Sequence, residues 1–152
     1  DNLCVNPIFD DETGWVDSNI GASDDVSLSQ DYVKVGTNSL KVIGTADNDG
    51  SGARTTINPT VGKLYKFSAW FYVISGKAQL NPGDTPFTSG SSVEAYTTKT
   101  NEWEYVETYS RCDQASGSGG GALYCSTDDG AGTFYVDDVK IQEVQGNPGE
   151  LK

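Results

Sequence analysis

Two adjacent carboxylates near the end of the chain, Asp137 and Asp138, are the residues whose type and spacing most clearly indicate chemistry. They lie within Thr133–Ile141, where apolar residues alternate with others as in a half-buried β-strand. Neighbouring carboxylates repel each other unless a cation or hydrogen-bond donors lie beside them. Because side chains alternate across a strand, one carboxylate can bind a hard cation such as Ca²⁺ while the other faces solvent. The alternative is that Asp137, like Asp10 near the start of the chain, accepts only backbone hydrogen bonds.

The first segment of the chain carries an equally specific pattern. Asn6–Asp10 reads Asn-Pro-Ile-Phe-Asp, and the pair Gly14-Trp15 follows it. We expect a chain with such distinctive segments at both ends to bring them together in space. This predicts one closed β-domain rather than a string of modules.

The composition excludes several classes of function. The 152 residues suit one domain with a single core, and the absence of histidine removes the commonest zinc ligand and any Ser-His or Cys-His nucleophilic pair. A formal net charge of -12 repels phosphate backbones and anionic membranes, so neither nucleic acid nor a membrane is expected as a partner. The 18 glycines and the frequent Tyr, Thr, Ser and Val favour strands and turns.

Short apolar segments separated by turn signals predict an all-β fold. No segment has a long helical period, and the pattern is typical of an antiparallel β-sandwich, a jelly roll. We assign residues 1–144 to this sandwich and residues 145–152 to a C-terminal linker stub. The predicted strands are Tyr32–Val35, Ser39–Ile43, Ala53–Ile57, Leu64–Ile74, Lys77–Leu80, Glu102–Arg111, Ala122–Ser126 and Thr133–Val144.

The three cysteines leave two alternatives open. The glycine-rich segment Ser116–Gly121 between Cys112 and Cys125 is interpreted as a hairpin loop, and a disulfide across that hairpin would imply export, leaving Cys4 unpaired. The alternative is three reduced, buried thiols. The sequence shows no signal peptide or apolar membrane-spanning segment and begins at Asp1 without Met, so we interpret it as a mature or excised fragment.

The order of these motifs resembles the jelly-roll carbohydrate-binding modules grouped around families 4, 16 and 22, over nearly the whole chain up to Glu143. The motifs that carry the resemblance are Asn6-Pro7-x-Phe9-Asp10, Gly14-Trp15, Asn38-Ser39-Leu40-Lys41-Val42, Gly62-Lys63-x-Tyr65 and Phe134-Tyr135-Val136-Asp137-Asp138-Val139. The resemblance implies a non-catalytic module of a secreted polysaccharide-degrading enzyme, joined to a catalytic domain in the same parent chain. It also implies a structural calcium ion and a glycan-binding cleft on one sheet.

The resemblance also suggests site residues. Asp137 is the implied calcium ligand, and the shell would be completed by the segment from Ile8 to Asp10 and by the carbonyl around Asn38. The implied glycan-binding residues are Arg54, Asn58, Gln79, Asn81, Tyr124 and Phe87. Trp70 and Tyr72 lie two residues apart on one face of the longest predicted strand, and we interpret them as a stacking platform. A sugar site needs such aromatic surface beside amide and guanidinium groups. The alternatives are that the polar side chains only face water, that Phe87 anchors a loop, and that Trp70 and Tyr72 form a second core layer.

Three functions follow, in different classes. The first is glycan binding by an extracellular, monomeric module; the acidic surface favours neutral β-glucan, xylan or mannan, and alginate requires bridging calcium. The second is a glycanase or lyase, although no pair of carboxylates stands out in a catalytic context. The third is a calcium-stabilised structural or adhesive sandwich of a surface protein without a glycan cleft, which predicts that Trp70, Tyr72 and Tyr124 are buried.

Overall fold

Ten β-strands and no helix occur in the part of the chain that the computed structural model describes, which is residues 1–17, 25–44, 52–83, 94–113, 121–127 and 130–145. No helix in this part is therefore long and apolar enough to cross a membrane. The strands are β1 Trp15–Asp17, β2 Asp25–Ser29, β3 Ser39–Gly44, β4 Gly52–Ile57, β5 Leu64–Ser75, β6 Ala78–Gly83, β7 Ala95–Tyr96, β8 Trp103–Arg111, β9 Gly121–Thr127 and β10 Gly132–Glu143.

The strands form two antiparallel sheets of five strands each. The first sheet has the order β1-β4-β9-β6-β7, and the second has the order β2-β3-β10-β5-β8. Strands that are neighbours in a sheet are mostly distant in sequence, as in a jelly roll. The predicted all-β, jelly-roll sandwich is thus confirmed.

The core lies between the two sheets and is built by alternation along each strand. On β5, Tyr65, Phe67, Phe71 and Val73 are buried, as the pattern of the longest predicted strand requires. Trp15 is also buried, and its ring packs 5.3 Å from that of Phe9. The first sheet contributes the buried side chains Ala53, Ile57, Leu80, Leu123 and Cys125.

The two ends of the domain meet, as their motifs predicted. The Leu3 amide donates to the carbonyl of Ile141 at 2.7 Å, and the Val139 amide donates to that of Pro7 at 3.0 Å. The Asn2 side chain accepts from the Ile141 amide and donates to the Val139 carbonyl. The N-terminal segment is therefore held along β10 by backbone and side-chain hydrogen bonds.

Three local predictions are wrong. Tyr32–Val35 is not a strand but lies in the connection between β2 and β3. The predicted strand Lys77–Leu80 does not end at Leu80, because Asn81, Pro82 and Gly83 continue β6, where Pro82 pairs with Leu123. β8 and β9 do not form the predicted hairpin, because they belong to different sheets.

All three cysteines are free and buried, which agrees with the alternative of three reduced thiols and not with a disulfide between Cys112 and Cys125. Cys112 follows β8 in the second sheet, whereas Cys125 lies on β9 in the first. Burial raises the pKa of Cys4 to about 12, and burial together with the nearby Cys4 raises the pKa of Cys125 well above its usual range. Both thiols are therefore protonated and unreactive at neutral pH.

Candidate functional site

A row of four side chains crosses the outer surface of the first sheet. Val16 pairs with Arg54, Arg54 with Tyr124, and Tyr124 with Asn81, on β1, β4, β9 and β6 respectively. Directly paired residues project to the same side of a sheet. The neighbours of Arg54 on β4, Ala53 and Thr55, are buried, so this row faces outward. With strands about 4.8 Å apart, the row spans roughly 14 Å.

The adjacent rows extend this surface, which we call the Tyr124 face. Gln79 pairs with both Ser126 and Tyr96, and Thr56 pairs with Ala122. Besides Gly52 and Gly83, the outward positions that define the Tyr124 face are Val16, Arg54, Thr56, Gln79, Asn81, Tyr96, Ala122, Tyr124 and Ser126. Asn58 is exposed just beyond the end of β4. Alternation along the strands therefore brings Arg54, Gln79, Asn81 and Tyr124 together, with Asn58 next to them.

The Tyr124 ring lies over a glycine of the neighbouring strand. A Cβ atom at Gly83 would be 2.8 Å from Cε2 of Tyr124 and 3.0 Å from Cδ2, closer than real Cβ atoms approach. The absence of a side chain at Gly83 thus leaves the space in which the ring rests on β6. Tyr124 itself is half-buried, so part of the ring stays accessible.

Two buried polar atoms of the Tyr124 face have no hydrogen-bond partner within the described segments. They are Nε of Arg54 and Oγ of Ser126. Gln79, in contrast, is buried, and its amide nitrogen donates to the Thr127 carbonyl at 3.1 Å. Gln79 therefore stabilises the sheet. Ser126 is fully buried and cannot contact an external group, whereas the half-buried Arg54 keeps that capacity.

Sequence reasoning missed Ser126 and Tyr96 on this face. Both lie at the same alternation as named candidates, Ser126 two residues after Tyr124 and Tyr96 opposite Gln79. Ser126 could have been found from the alternation of side chains along β9, which places it on the same side as Tyr124. β7 has only two residues, which is too short for its pairing to be read from a pattern.

Trp70 and Tyr72 lie on the other side of the molecule, on the outer surface of the second sheet. Tyr32 stacks on Tyr72 with ring centroids 4.1 Å apart and an interplanar angle of 20°. The Lys34 ammonium lies 4.1 Å above the Trp70 ring. The structure therefore does not bring Trp70 and Tyr72 together with Tyr124, and the chain covers part of each ring with its own groups. The candidate Phe87 lies outside the described residues.

Asp137 is buried where β10 meets the connection between β2 and β3. Its Oδ2 accepts from the backbone amides of Lys34 at 2.8 Å and Val35 at 2.9 Å, and its Oδ1 accepts from that of Asp138 at 2.8 Å. Burial raises the pKa of this carboxyl, while the three hydrogen bonds oppose the rise. Asp138 points elsewhere, with Oδ2 3.8 Å from the Lys140 ammonium.

The other predicted metal ligands lie on segments that meet near Asp137. The Asn38 side chain donates to the Phe9 carbonyl at 3.0 Å, and a Cβ atom at Gly36 would be 3.9 Å from the Ile8 carbonyl oxygen. Asp10 is exposed and donates its amide to the side chain of Asn6.

The backbone at this junction adopts unusual conformations. Asn6, Phe9 and Asp138 have φ values of 52°, 55° and 49°, in the left-handed region that residues other than glycine rarely adopt. Such conformations persist where the surroundings over-determine them. The described residues contain no cluster of three or more His, Cys, Asp or Glu side chains that could hold a metal. The available donors are therefore carbonyl oxygens with one buried carboxylate, a hard-oxygen set of the kind that Ca²⁺ accepts.

Solved structures with the same arrangement of strands include carbohydrate-binding modules. The CBM22-1 xylan-binding domain of Paenibacillus barcinonensis Xyn10C is 16% identical, and the match covers 88% of each chain with a TM-score of 0.67. A protein described as family 16 carbohydrate binding module 2 is 17% identical over 93% of this chain and 100% of its own, also with a TM-score of 0.67.

A phage protein shares the fold as well. The enzymatically active domain of tailspike protein 4 from bacteriophage CBA120 is 13% identical, and the match covers 94% of this chain and 21% of that one with a TM-score of 0.66. In sequence, no family model and no curated protein matches the chain. The chain thus has the fold of the family 16 and family 22 modules, as its motifs predicted.

Proposed function

We propose that this chain is a non-catalytic carbohydrate-binding module that binds a glycan chain across the Tyr124 face. The observation that carries the proposal is the row of Val16, Arg54, Tyr124 and Asn81, which places apolar, aromatic, guanidinium and amide groups side by side. A sugar ring presents an apolar face to an aromatic ring and its hydroxyl groups to polar side chains. The row offers both kinds of contact on rigid strands.

The glycan backbone that we favour is neutral, and xylan is the first choice, with β-glucan and mannan as alternatives. A chain of net charge -12 repels a polyanion. The fold of this chain is also that of a xylan-binding domain. In the proposed complex, the accessible part of the Tyr124 ring contacts a pyranose ring. Asn81 and Arg54 then donate hydrogen bonds to its hydroxyl oxygens.

We propose in addition that Asp137 takes part in a structural calcium site. The remaining ligands would come from the carbonyl of Ile8, from Asn38 and from Asp10. When bound, the ion would supply positive charge to a buried carboxylate. Within the described residues, Asp137 forms no ion pair, and Asn38 already joins the N-terminal segment to the loop before β3. Removal of calcium by a chelator is expected to lower the melting temperature. Addition of calcium should then restore it.

The same proposal includes the setting of the module. We expect an extracellular, monomeric unit that is joined to a catalytic domain of a polysaccharide-degrading enzyme. We do not expect the chain itself to be catalytic, because glycoside hydrolysis requires two carboxylates that flank the scissile bond. None of the nine outward positions of the Tyr124 face is acidic.

The alternative is a structural or adhesive sandwich, and the fold shared with a tailspike domain favours it. That alternative predicts a buried Tyr124, whereas the structure leaves Tyr124 half-buried on an outward position. The alternative also predicts buried Trp70 and Tyr72, but both are half-buried, although Tyr32 and Lys34 cover part of their rings.

Affinity electrophoresis in gels containing xylan, β-glucan or mannan, with calcium present, tests the proposal. We expect one of these polysaccharides to retard the chain and Tyr124→Ala to abolish the retardation. Tyr109→Ala is the matched control, because Tyr109 is an exposed tyrosine on β8 of the opposite sheet. Retardation by none of the polysaccharides, or equal loss in both variants, would contradict the proposal.

A further inference from the structure

Arg54 lacks the partner that most other cationic side chains of the described chain possess. Lys63, Lys66, Lys99 and Lys140 each lie within 4.0 Å of a carboxylate oxygen. The Arg111 guanidinium donates to a carbonyl, and the Lys34 ammonium lies over an aromatic ring. Arg54 forms no ion pair and no hydrogen bond within the described segments, and its Nε is buried. This is notable in a chain with 22 acidic and 10 basic residues.

Among the described residues, no acidic side chain occupies an outward position of the Tyr124 face beside Arg54. Asp17 on the adjacent strand pairs with Ala53, whose side chain faces the core, so Asp17 lies on the other side of the sheet from Arg54. Glu94 precedes β7, which is three strands away, at roughly 14 Å. The second cation at the edge of this surface is Lys77, whose ammonium lies 4.5 Å from the Tyr96 ring centroid.

A hydroxyl group can accept a hydrogen bond from Arg54 but leaves its charge uncompensated. A carboxylate compensates the charge and can accept two parallel N–H bonds from one guanidinium, which makes it the anion that Arg binds with the best geometry. Tyr124 is the direct neighbour of Arg54 and offers a ring surface for the pyranose that bears the carboxylate. Arg54 and Tyr124 together therefore suit a sugar acid better than a neutral sugar.

We propose that Arg54 determines specificity by binding the carboxylate of a uronic acid, so that the preferred ligand is a neutral glycan backbone with uronic acid substituents. This inference rests on the proposed function of the same face. A backbone made entirely of uronic acids fits less well, because the net charge of -12 repels a polyanion, whereas one local cation can pair with one isolated carboxylate.

Binding to glucuronoxylan, before and after chemical reduction of its carboxyl groups, tests the inference. Reduction converts each uronic acid to a neutral sugar and leaves the xylan backbone unchanged, so the two polymers form a matched pair. We expect the chain to bind the untreated polymer about tenfold or more tightly than the reduced one. We call the affinity for the untreated polymer divided by that for the reduced polymer the affinity ratio, and we expect this ratio to fall as salt concentration rises.

Two variants identify the residue responsible. In Arg54→Gln the ratio should fall to about one, and in Arg54→Lys it should stay intermediate, because a lysine keeps the charge without the planar fork. Asn81→Ala should weaken binding to both polymers and preserve the ratio. Circular dichroism melting verifies that each variant is folded.

The outcomes separate the two proposals. Equal binding of both polymers by the unaltered chain would overturn the uronic acid inference and leave the proposed function standing. A preference that survives in Arg54→Gln would overturn the assignment to Arg54. Binding of neither polymer, nor of β-glucan or mannan, would contradict the proposed function itself.

Discussion

Replacement of Gly83 by alanine should weaken glycan binding through Tyr124 without disrupting the fold. The added Cβ would lie 2.8 Å from Cε2 of Tyr124, which is roughly 0.7 Å or more inside a normal carbon–carbon contact. The nearest atoms belong to the tyrosine side chain rather than to backbone, so the ring is expected to move away from β6. An aromatic contact contributes about 0.5–1.5 kcal/mol beyond area burial, which corresponds to a loss of roughly two- to tenfold in affinity.

The stability of Gly83→Ala should change little. Alanine within a strand is favoured over glycine by about 0.5–1 kcal/mol, which offsets part of the cost of moving the ring. Calorimetric titration with xylohexaose, together with urea unfolding, measures both quantities on the same preparation.

A double-mutant cycle with Tyr124→Ala shows whether Gly83 acts through the ring. If it does, Gly83→Ala should have no further effect on affinity once the ring is removed, and it should stabilise the Tyr124→Ala chain. Equal losses of affinity in the presence and absence of the Tyr124 ring would refute the reasoning, since Gly83 would then act by another route. Unchanged affinity in the single variant would show that the position of the ring is not used in binding.

Three further predictions concern the scaffold. Asp137→Asn should lower the free energy of unfolding by about 1–3 kcal/mol in urea titrations, because one carbonyl oxygen cannot accept all three backbone hydrogen bonds. An unchanged urea midpoint would contradict the stabilising role of these hydrogen bonds. Gly52→Ala should be destabilising by more than about 1 kcal/mol, since its Cβ would clash with the backbone oxygen of Cys125. A melting temperature equal to that of the unaltered chain would refute this packing. At pH 8 the native chain should not react with a thiol reagent, because burial raises the pKa of Cys4 to about 12 and raises the pKa of Cys125 well above its usual range. Three thiols should react after unfolding without reductant, and a single reactive thiol would reveal a disulfide instead.

The resemblance to the family modules named Arg54, Gln79, Asn81 and Tyr124 as glycan-binding residues, and the structure places all four on one side of the first sheet. Their role in binding stays a prediction. Strand alternation accounts for part of this placement, because a period of two fixes which side chains of one strand point together. The distinctive segments at the two ends predicted the contact between the N-terminal segment and β10.

The same rule could not assign strands to sheets. Trp70 and Tyr72 share a face of β5, but only the pairing of β5 with β10 and β8 shows that this face is opposite to Tyr124. Their contacts with Tyr32 and Lys34 come from a connection distant in sequence, which no period reveals. A glycine-rich sequence such as the one after Cys112 is compatible with a hairpin and with a connection between sheets alike, and only the sheet order shows that β8 and β9 are not paired.

The local signal at Asn81-Pro82-Gly83 was overridden by tertiary structure. These residues favour a turn in isolation, yet they continue β6 along β9. The Tyr124 ring occupies the space over Gly83. Gly83 therefore weakens the strand locally but leaves room for the side chain of the neighbouring strand. Turn propensity alone could not reveal this contact.

The most direct test of the central claim is a titration of the ¹⁵N-labelled chain with xylohexaose, cellohexaose and mannohexaose, followed by amide chemical shifts. Binding across the first sheet predicts that at least one of these oligosaccharides shifts the amides of Arg54, Asn81 and Tyr124, while those of β5 and β8 stay in place. Shifts centred on Trp70, Tyr72 and Tyr105 would contradict the account, because they would place the ligand on the opposite sheet.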